Sequence, residues 1–528
     1  MSKFNRTKTR TAVSSPVTTE ATPSTVTYEG APGYVRDAKS ELFILAVSNM
    51  VGETTFYEKA RDRDNRYATL VHTVALADPA WTRDFLSWLR GEANMRSASL
   101  VGAAEAVKAR LEAAANDEVT SRSIVNAVLQ RADEPGELLA YWTSTYGRRI
   151  PKPVKRGVAD AVVRLYNERS LLKYDTDSKG FRFGDVIELA HPSPGADKPW
   201  QGPLFQYALE RRHNREVVTV AELETVQANM RLREAATSDP SVLLDADALR
   251  RAGMTWEDVL SLAGSTLDKA RLWSAVIPAM GYMALLRNLR NFDEAGVSDE
   301  LAATVAAKLA DPDEVAKSRQ LPFRFYSAYR TAPSLRWGHA LDKALSFATA
   351  NIPAFVGRTL VLVDTSASMT SGAISKRSTV TPAQAAALFG VCLAARGNTV
   401  DLVGFADGTF QHSVGRGASV LREVDAFVKR TGEVGHGTQI AASLRASYQG
   451  HERVVVISDM QTFQDYHGDV ASAVPAHVPI YGFNLGGYRA AAMPTGLGTR
   501  HEIGGMSDAT FRMIPLLEAG RDAAWPWQ

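Results

Sequence analysis

The stretch Asp364-Thr365-Ser366-Ala367-Ser368-Met369 has the clearest capacity for chemistry in this chain. In extended backbone, side chains at i, i+2 and i+4 point the same way, so one carboxylate and two hydroxyls converge. Hard oxygen donors with no Cys or His beside them suit Mg²⁺, Mn²⁺ or Ca²⁺ rather than zinc. Taken alone, the hexapeptide also fits a Ser/Asp turn that caps the next helix. Two later segments bear on the choice. Gly435-His436-Gly437-Thr438 precedes a helical pattern and offers a further hydroxyl on a glycine-shaped loop. The apolar run from Val454 ends in Ser458-Asp459, a second carboxylate. His436 stands alone between glycines, without the spacing of a metal ligand pair.

These donors need strands to hold them. From Asn351-Ile352-Pro353 onward, runs rich in β-branched residues alternate with helical segments. Strands are predicted at Thr359–Val363, Val400–Phe405, Val454–Ile457 and Ile480–Asn484, with helices near Pro382–Arg396, Ser419–Lys429 and Ile440–Tyr448. Such alternation implies a doubly wound parallel sheet with helices on both faces. Ligands on these sheets bind beyond the carboxyl ends of the strands, which is where Asp364 and Asp459 fall.

Residues 30–350 read differently. Leu42, Leu45, Ala46 and Met50 recur at helical spacing, as do Val158, Ala161, Val162, Leu165 and Tyr166. Further segments of this kind, separated by short breaks with Pro, Gly or Asp, predict stacked helical hairpins. Trp81, Trp88, Trp142 and Trp273 lie among apolar helical positions and are expected in the core. Residues 1–29 are rich in Ser, Thr, Val and Pro, with Lys3, Arg6, Lys8 and Arg10, and are expected to form a disordered tail.

With 528 residues, two or more domains are the default. Sixty basic against 58 acidic residues give a net charge of +2, so a nucleic-acid surface must come from local clustering. No apolar run has the length of a membrane span, and no signal-peptide core opens the chain. The single cysteine, Cys392, lies in an apolar helical pattern, is read as structural, and fits a reducing cytoplasm. There is no H-E-x-x-H, no paired C-x-x-C, no P-loop and no G-x-S-x-G elbow.

Positive charge is densest over Arg148-Arg149-Ile150-Pro151-Lys152-Pro153-Val154-Lys155-Arg156. It continues through Arg164, Arg169, Lys173, Lys179 and Arg182 to His191. Aromatic rings interleave with cations in the loop from Lys173 to Arg182. This combination suits RNA, with cations on phosphates and planar groups stacked on unpaired bases. A solvated basic face is the alternative reading of the same residues.

Asp364, Ser366, Ser368, Thr438 and Asp459 together resemble the metal-ion-dependent adhesion site of von Willebrand factor A domains, with all five positions filled in order. The resemblance covers residues 351–528 and implies one divalent cation, Mg²⁺, held by these five side chains directly or through water. It also implies an open position that a partner's carboxylate could fill.

The segments Val47–Glu58, Lys155–Glu168, Asp185–His191, Ile277–Leu289 and Leu321–Tyr326 resemble the TROVE domain of the Ro RNA-binding autoantigen and its bacterial relatives. The likeness runs over residues 30–350, with the von Willebrand type domain following where the family places it. It implies a monomeric ring of HEAT-like helical repeats whose central hole takes single-stranded ends of structured or misfolded RNAs. A small noncoding Y-like RNA is then expected on the outer surface, with RNA quality control or degradation as the role and an exoribonuclease as a partner tethered through the RNA. The candidate RNA residues are Arg149, Lys152, Lys155, Arg156, Lys173, Lys179, Arg182 and His191. Ser178 stands where the family carries an Arg, with Lys179 beside it. For His191, before Pro192, capping of the preceding helix is the competing reading. Arg287 and Asn288 are weighed between the inner surface and a structural role.

The resulting expectation is a noncatalytic RNA-binding ring. A protein-interaction module that captures an acidic partner residue at the metal is the second reading. Metal-assisted phosphodiester hydrolysis is the weakest, because a single site has no evident base.

Overall fold

In the computed structural model, the structure describes residues 13–48, 51–177, 180–215, 222–376, 378–397 and 399–528. Helices dominate from Ala38–Ser48 to Leu335–Ala348, and the C-terminal part carries a six-stranded sheet. The strands are β1 (Val13–Ser14), β2 (Thr25–Val26), β3 (Pro32–Val35), β4 (Arg358–Asp364), β5 (Thr399–Phe405), β6 (Thr409–His412), β7 (Arg453–Ser458), β8 (Ile480–Asn484), β9 (Ala490–Ala491), β10 (Leu497–Gly498) and β11 (Arg500–Gly504).

The large sheet has the order β11-β8-β7-β4-β5-β6, parallel except for β6, which runs antiparallel to β5. Alternation along β4 and β7 splits the core in two, as the pleat requires. Val361, Val363, Val455 and Ile457 face the cluster containing Leu388, Val391 and Cys392 of the helix Pro382–Arg396. Leu360, Leu362, Val454 and Val456 face Ile440, Ala441 and Leu444 on the opposite side. Both faces are therefore covered, and the strands read as continuous apolar runs. Cys392 is buried, and burial pushes its thiol up to about 12, so it serves packing.

The helical part is a succession of packed hairpins that begins and ends on this sheet domain. Ala38–Ser48 packs against Ala60–Ala77 on one side and against β11 on the other, where the Met506 N–H donates to Val47 O at 3.0 Å. At the far end, the Tyr326 hydroxyl donates to Asp425 Oδ1 at 2.7 Å and the Leu421 N–H to Asp342 Oδ1 at 3.1 Å. Within the arc, an Arg319 guanidinium to Gln130 hydrogen bond joins segments far apart in sequence. Trp525 and Trp527 stack 5.4 Å apart and insert among Phe43, Trp81, Phe85 and Trp88, so the C-terminus clasps the first hairpins. Trp81, Trp88, Trp142 and Trp273 are all buried.

The expectation of a disordered tail over 1–29 fails for residues 13–29. β1 pairs with β10, and β2, β3 and β9 form a three-stranded sheet. Val17 is fully buried. Arg36 anchors this segment through a two-pronged pair to Glu502, each bond 2.6 Å, and through Tyr488 O at 2.8 Å. Few local apolar residues were needed, because the partners come from the opposite end of the chain. Lys3, Arg6, Lys8, Arg10 and Met50 lie outside the described residues.

Candidate metal centre and cationic cavity

Strand order reverses between β7 and β4, and the two aspartates stand at the carboxyl ends of these neighbours. Asp364 closes β4 and is fully buried. It accepts from the Ser366 N–H at 2.9 Å and from the Ser458 hydroxyl at 2.5 Å. These bonds tie the D-x-S-x-S turn to its own strand and to the next. Ser366 Oγ and Ser368 Oγ lie 3.2 Å apart, as the i, i+2 spacing leads one to expect. Asp459 accepts from the Gln461 N–H at 3.0 Å and interacts with the Ser368 hydroxyl. Thr438 is buried, and its carbonyl accepts from Thr462 Oγ1 at 2.8 Å and the Phe463 N–H at 2.9 Å, which fastens its loop to the one that follows Asp459.

Asp407 shapes that loop and was not anticipated. Its carboxylate accepts from the His436 and Gly437 N–H groups at 2.8 and 3.1 Å, which hold it below the ordinary aspartate range. A side chain at Gly435, where φ is +91°, or at Gly437 would run into this carboxylate. His436 acts through its backbone, its carbonyl accepting from the Ala367 N–H at 2.8 Å. The signal for Asp407 was its place just beyond a buried parallel strand. Ser458 was hidden as the residue beside a more conspicuous aspartate.

The donor set fits a divalent cation. Burial pushes the Asp364 and Asp459 carboxyls up, and the Asp364 charge pushes Asp459 further. No Lys, Arg or His reaches ion-pair distance of either among the described residues. A dication among these oxygens would relieve that repulsion and favour both ionised forms. The ligands would be the Asp364, Ser366, Ser368, Thr438 and Asp459 side chains.

The basic residues divide between two places. Arg149, Lys152 and Arg156 are exposed and Lys155 half-buried at the start of the helix Lys152–Leu165, with no ion pair among the described residues. Val154, Gly157, Val158, Ala161 and Val162 bury the opposite face. Lys173 lies elsewhere. With Arg131, Arg169, Arg250, Arg287 and Lys317 it lines a cavity of about 660 Å³ among the helices, where Glu257 and Glu314 are the acidic lining residues.

Arg169, Lys173 and Arg287 are exposed and have no carboxylate partner among the described residues. Tyr174 also lines the cavity, with Lys173 Nζ 5.1 Å and Arg131 Cζ 5.6 Å from its ring centre. Burial lowers the Arg324 guanidinium, and the nearby Arg287 charge lowers it further. Asn288 is buried and bonded to Ala284 O at 2.8 Å, so of the pair it takes the structural role.

Arg182 does not present a free cation. Asp175 and Asp177 hold it at 2.8 and 2.7 Å, and its side chain is only 12 % exposed. Lys179 and Ser178 lie outside the described residues. His191 ends the helix Phe183–Ala190 in a left-handed conformation, its N–H bonded to Ile187 O at 2.9 Å, while the residue remains exposed.

The TROVE domain family matches residues 244–356. The crystal structure of the Deinococcus radiodurans RO (RSR) protein shares the fold with a TM-score of 0.59 at 18 % identity, covering 90 % of this chain and 99 % of that one. Two proteins named telomerase protein component 1 also match. The one from Mus musculus is 39 % identical over 83 residues, and the one from Rattus norvegicus 39 % identical over 77. The chain spans 3 % of each of those proteins. Among the described residues, no helix is long and apolar enough to cross a membrane.

Proposed function

We propose that this TROVE domain protein, which has the Ro fold along most of its length, is a noncatalytic RNA-binding protein that holds single-stranded RNA ends in its helical cavity. The cavity carries the reading. Three cations without acidic partners, Arg169, Lys173 and Arg287, surround it together with a tyrosine ring flanked by positive charge. Unneutralised cations in a concave site attract phosphates, and an exposed ring edge beside them offers a stacking surface for an unpaired base.

The exposed group Arg149, Lys152, Lys155 and Arg156 suits the backbone of a structured RNA, and a small Y-like RNA is the proposed occupant there. His191 is a further contact for that RNA through its ring, its backbone being taken up by the helix end. Arg182 drops out as a phosphate contact because its charge is already met. An exoribonuclease acting on the RNA held in this way is the proposed protein partner.

A duplex RNA with a single-stranded 3′ tail should bind more tightly than the blunt duplex of the same sequence. Fluorescence anisotropy at several salt concentrations reads the difference. Equal affinities would overturn the cavity reading. Changing Arg149, Lys152, Lys155 and Arg156 to Ala should weaken binding of the structured part and lower the slope of log K against log salt by about three. An unchanged slope would remove the outer surface from the account.

The metal centre is proposed to bind Mg²⁺ through Asp364, Ser366, Ser368, Thr438 and Asp459. The two unrelieved buried carboxyls support it. Mg²⁺ keeps several waters in sites of this type, so at least one position is exchangeable.

A further inference from the structure

A metal site that recruits another protein needs its open side in solvent. Here that side is covered by the first 58 residues. Ser368 is 6 % exposed and Asp459 3 %. Both face a closed-in cavity of about 270 Å³ walled by Glu53, Thr55, Phe56, Arg63 and Tyr488.

One carboxylate is carried over this site by a built device, the hairpin turn Thr27–Ala31 between β2 and β3. The turn is closed by the Gly30 N–H to Thr27 O bond at 3.0 Å and by Thr27 N–H to Ala31 O at 2.9 Å. Gly30 supplies the left-handed conformation this needs, with φ at +90°. The turn is clamped to the loop that leaves Asp459. Tyr28 N–H donates to Gln461 Oε1 at 2.9 Å, and Thr27 Oγ1 to Thr462 O at 2.8 Å. Gln461 is the residue whose own N–H holds Asp459. The half-buried Glu29 at the tip accepts a hydrogen bond from the Tyr57 hydroxyl, and that hydroxyl also interacts with Ser368. Tyr57 stacks on Tyr28 at 4.9 Å and meets Tyr488 edge-on at 5.3 Å, which fixes its ring. Glu29 is close enough for its charge to act on Asp459.

We infer that Glu29 is an internal acidic ligand of the metal centre, positioned by Tyr57, which fills the position a partner's carboxylate would otherwise take. The inference rests on the metal reading above. With the cation bound, a carboxylate at this tip gains a positive partner and the turn is fastened to the sheet domain. Without it, Glu29 adds a negative charge next to two buried carboxyls. The chain's own N-terminal segment therefore competes with any outside acidic group for the site.

The test uses Mn²⁺ in place of Mg²⁺ and follows the full-length protein by electron paramagnetic resonance and water-proton relaxation. Glu29→Gln keeps the shape of the side chain and should weaken Mn²⁺ binding about tenfold. It should also raise the relaxivity of the bound ion as water enters the vacated position, and added acetate should reverse that rise. Acetate should leave the unchanged protein's relaxivity alone. Tyr57→Phe, which removes only the positioning hydroxyl, should give a smaller shift in the same direction. If Asp364→Ala abolishes Mn²⁺ binding while Glu29→Gln matches the parent in affinity and relaxivity, the internal ligand is overturned and the metal site stands. If the parent protein binds no Mn²⁺, both readings fall.

Discussion

Changing Arg169, Lys173 and Arg287 together to Ala is expected to weaken binding of a single-stranded RNA tail about a hundredfold, at roughly 1 kcal/mol for each lost charged contact. The slope of log K against log salt should fall by about two, the value for three phosphates on a single strand. All three side chains are exposed on the cavity wall and make no ion pair among the described residues, so the fold should survive. Circular dichroism and thermal melting check that it does. The same variant should bind the blunt duplex nearly as well as the parent. A parallel loss for both RNAs would mean that the cavity does not discriminate single strands.

Removal of Glu502 should have the largest effect on stability. Arg36 and Glu502 have side chains 0 % and 2 % exposed, and the guanidinium also donates to Tyr488 O and Arg489 O. Asn484 Nδ2 donates to the same carboxylate at 2.8 Å. Glu502→Ala leaves a buried guanidinium without its counter-charge, which costs about 3–5 kcal/mol. The consequence should be local before it is global. β3 and the turn that carries Glu29 should lose amide protection in hydrogen exchange, while helices such as Lys152–Leu165 keep theirs. Replacing both partners with apolar residues of similar size should restore most of the loss, because the charge and its partner then leave together. Uniform loss of protection across the chain would show that Arg36 does not act as a local anchor.

The sheet domain was readable where patterns are local. The helix Pro382–Arg396 has the predicted bounds, set by Thr381 and Gln384 as a capping box and by Gly397 after the last turn. Strands β4, β5, β7 and β8 were found as apolar runs, to within a residue at either end. β11 was not, because it reads Arg-His-Glu-Ile-Gly and looks like surface. Its polar groups are buried and satisfied from afar: Arg500 by carbonyls of Ala471 and Val478, His501 by Ser15, and Glu502 by Arg36. The strands of residues 13–35 were illegible for the same reason. Two-residue strands carry no period, and theirs form by pairing with segments more than 450 residues away.

The metal donors were legible as a set because each follows a strand or opens a helix in a fixed order. Their supports were not. Asp407 and Ser458 show only once strand order is known, while Glu29 and Tyr57 arrive from the other end of the chain. In the basic region, composition alone could not separate spent from free charge. Arg182 is neutralised by aspartates five and seven residues before it, whereas Lys173 turns into the cavity and away from the group around Lys155.

Cross-linking from a tail that carries 4-thiouridine tests most directly whether single strands enter the cavity. The duplex with a modified 3′ tail is irradiated in complex with the protein and the linked peptides are sequenced. Cross-links should fall on the segment Arg169–Tyr174 and on the helix around Arg287, and free single-stranded RNA should compete them away. Cross-links confined to the Arg149–Arg156 face, or spread over the sheet domain, would contradict a cavity that holds RNA ends.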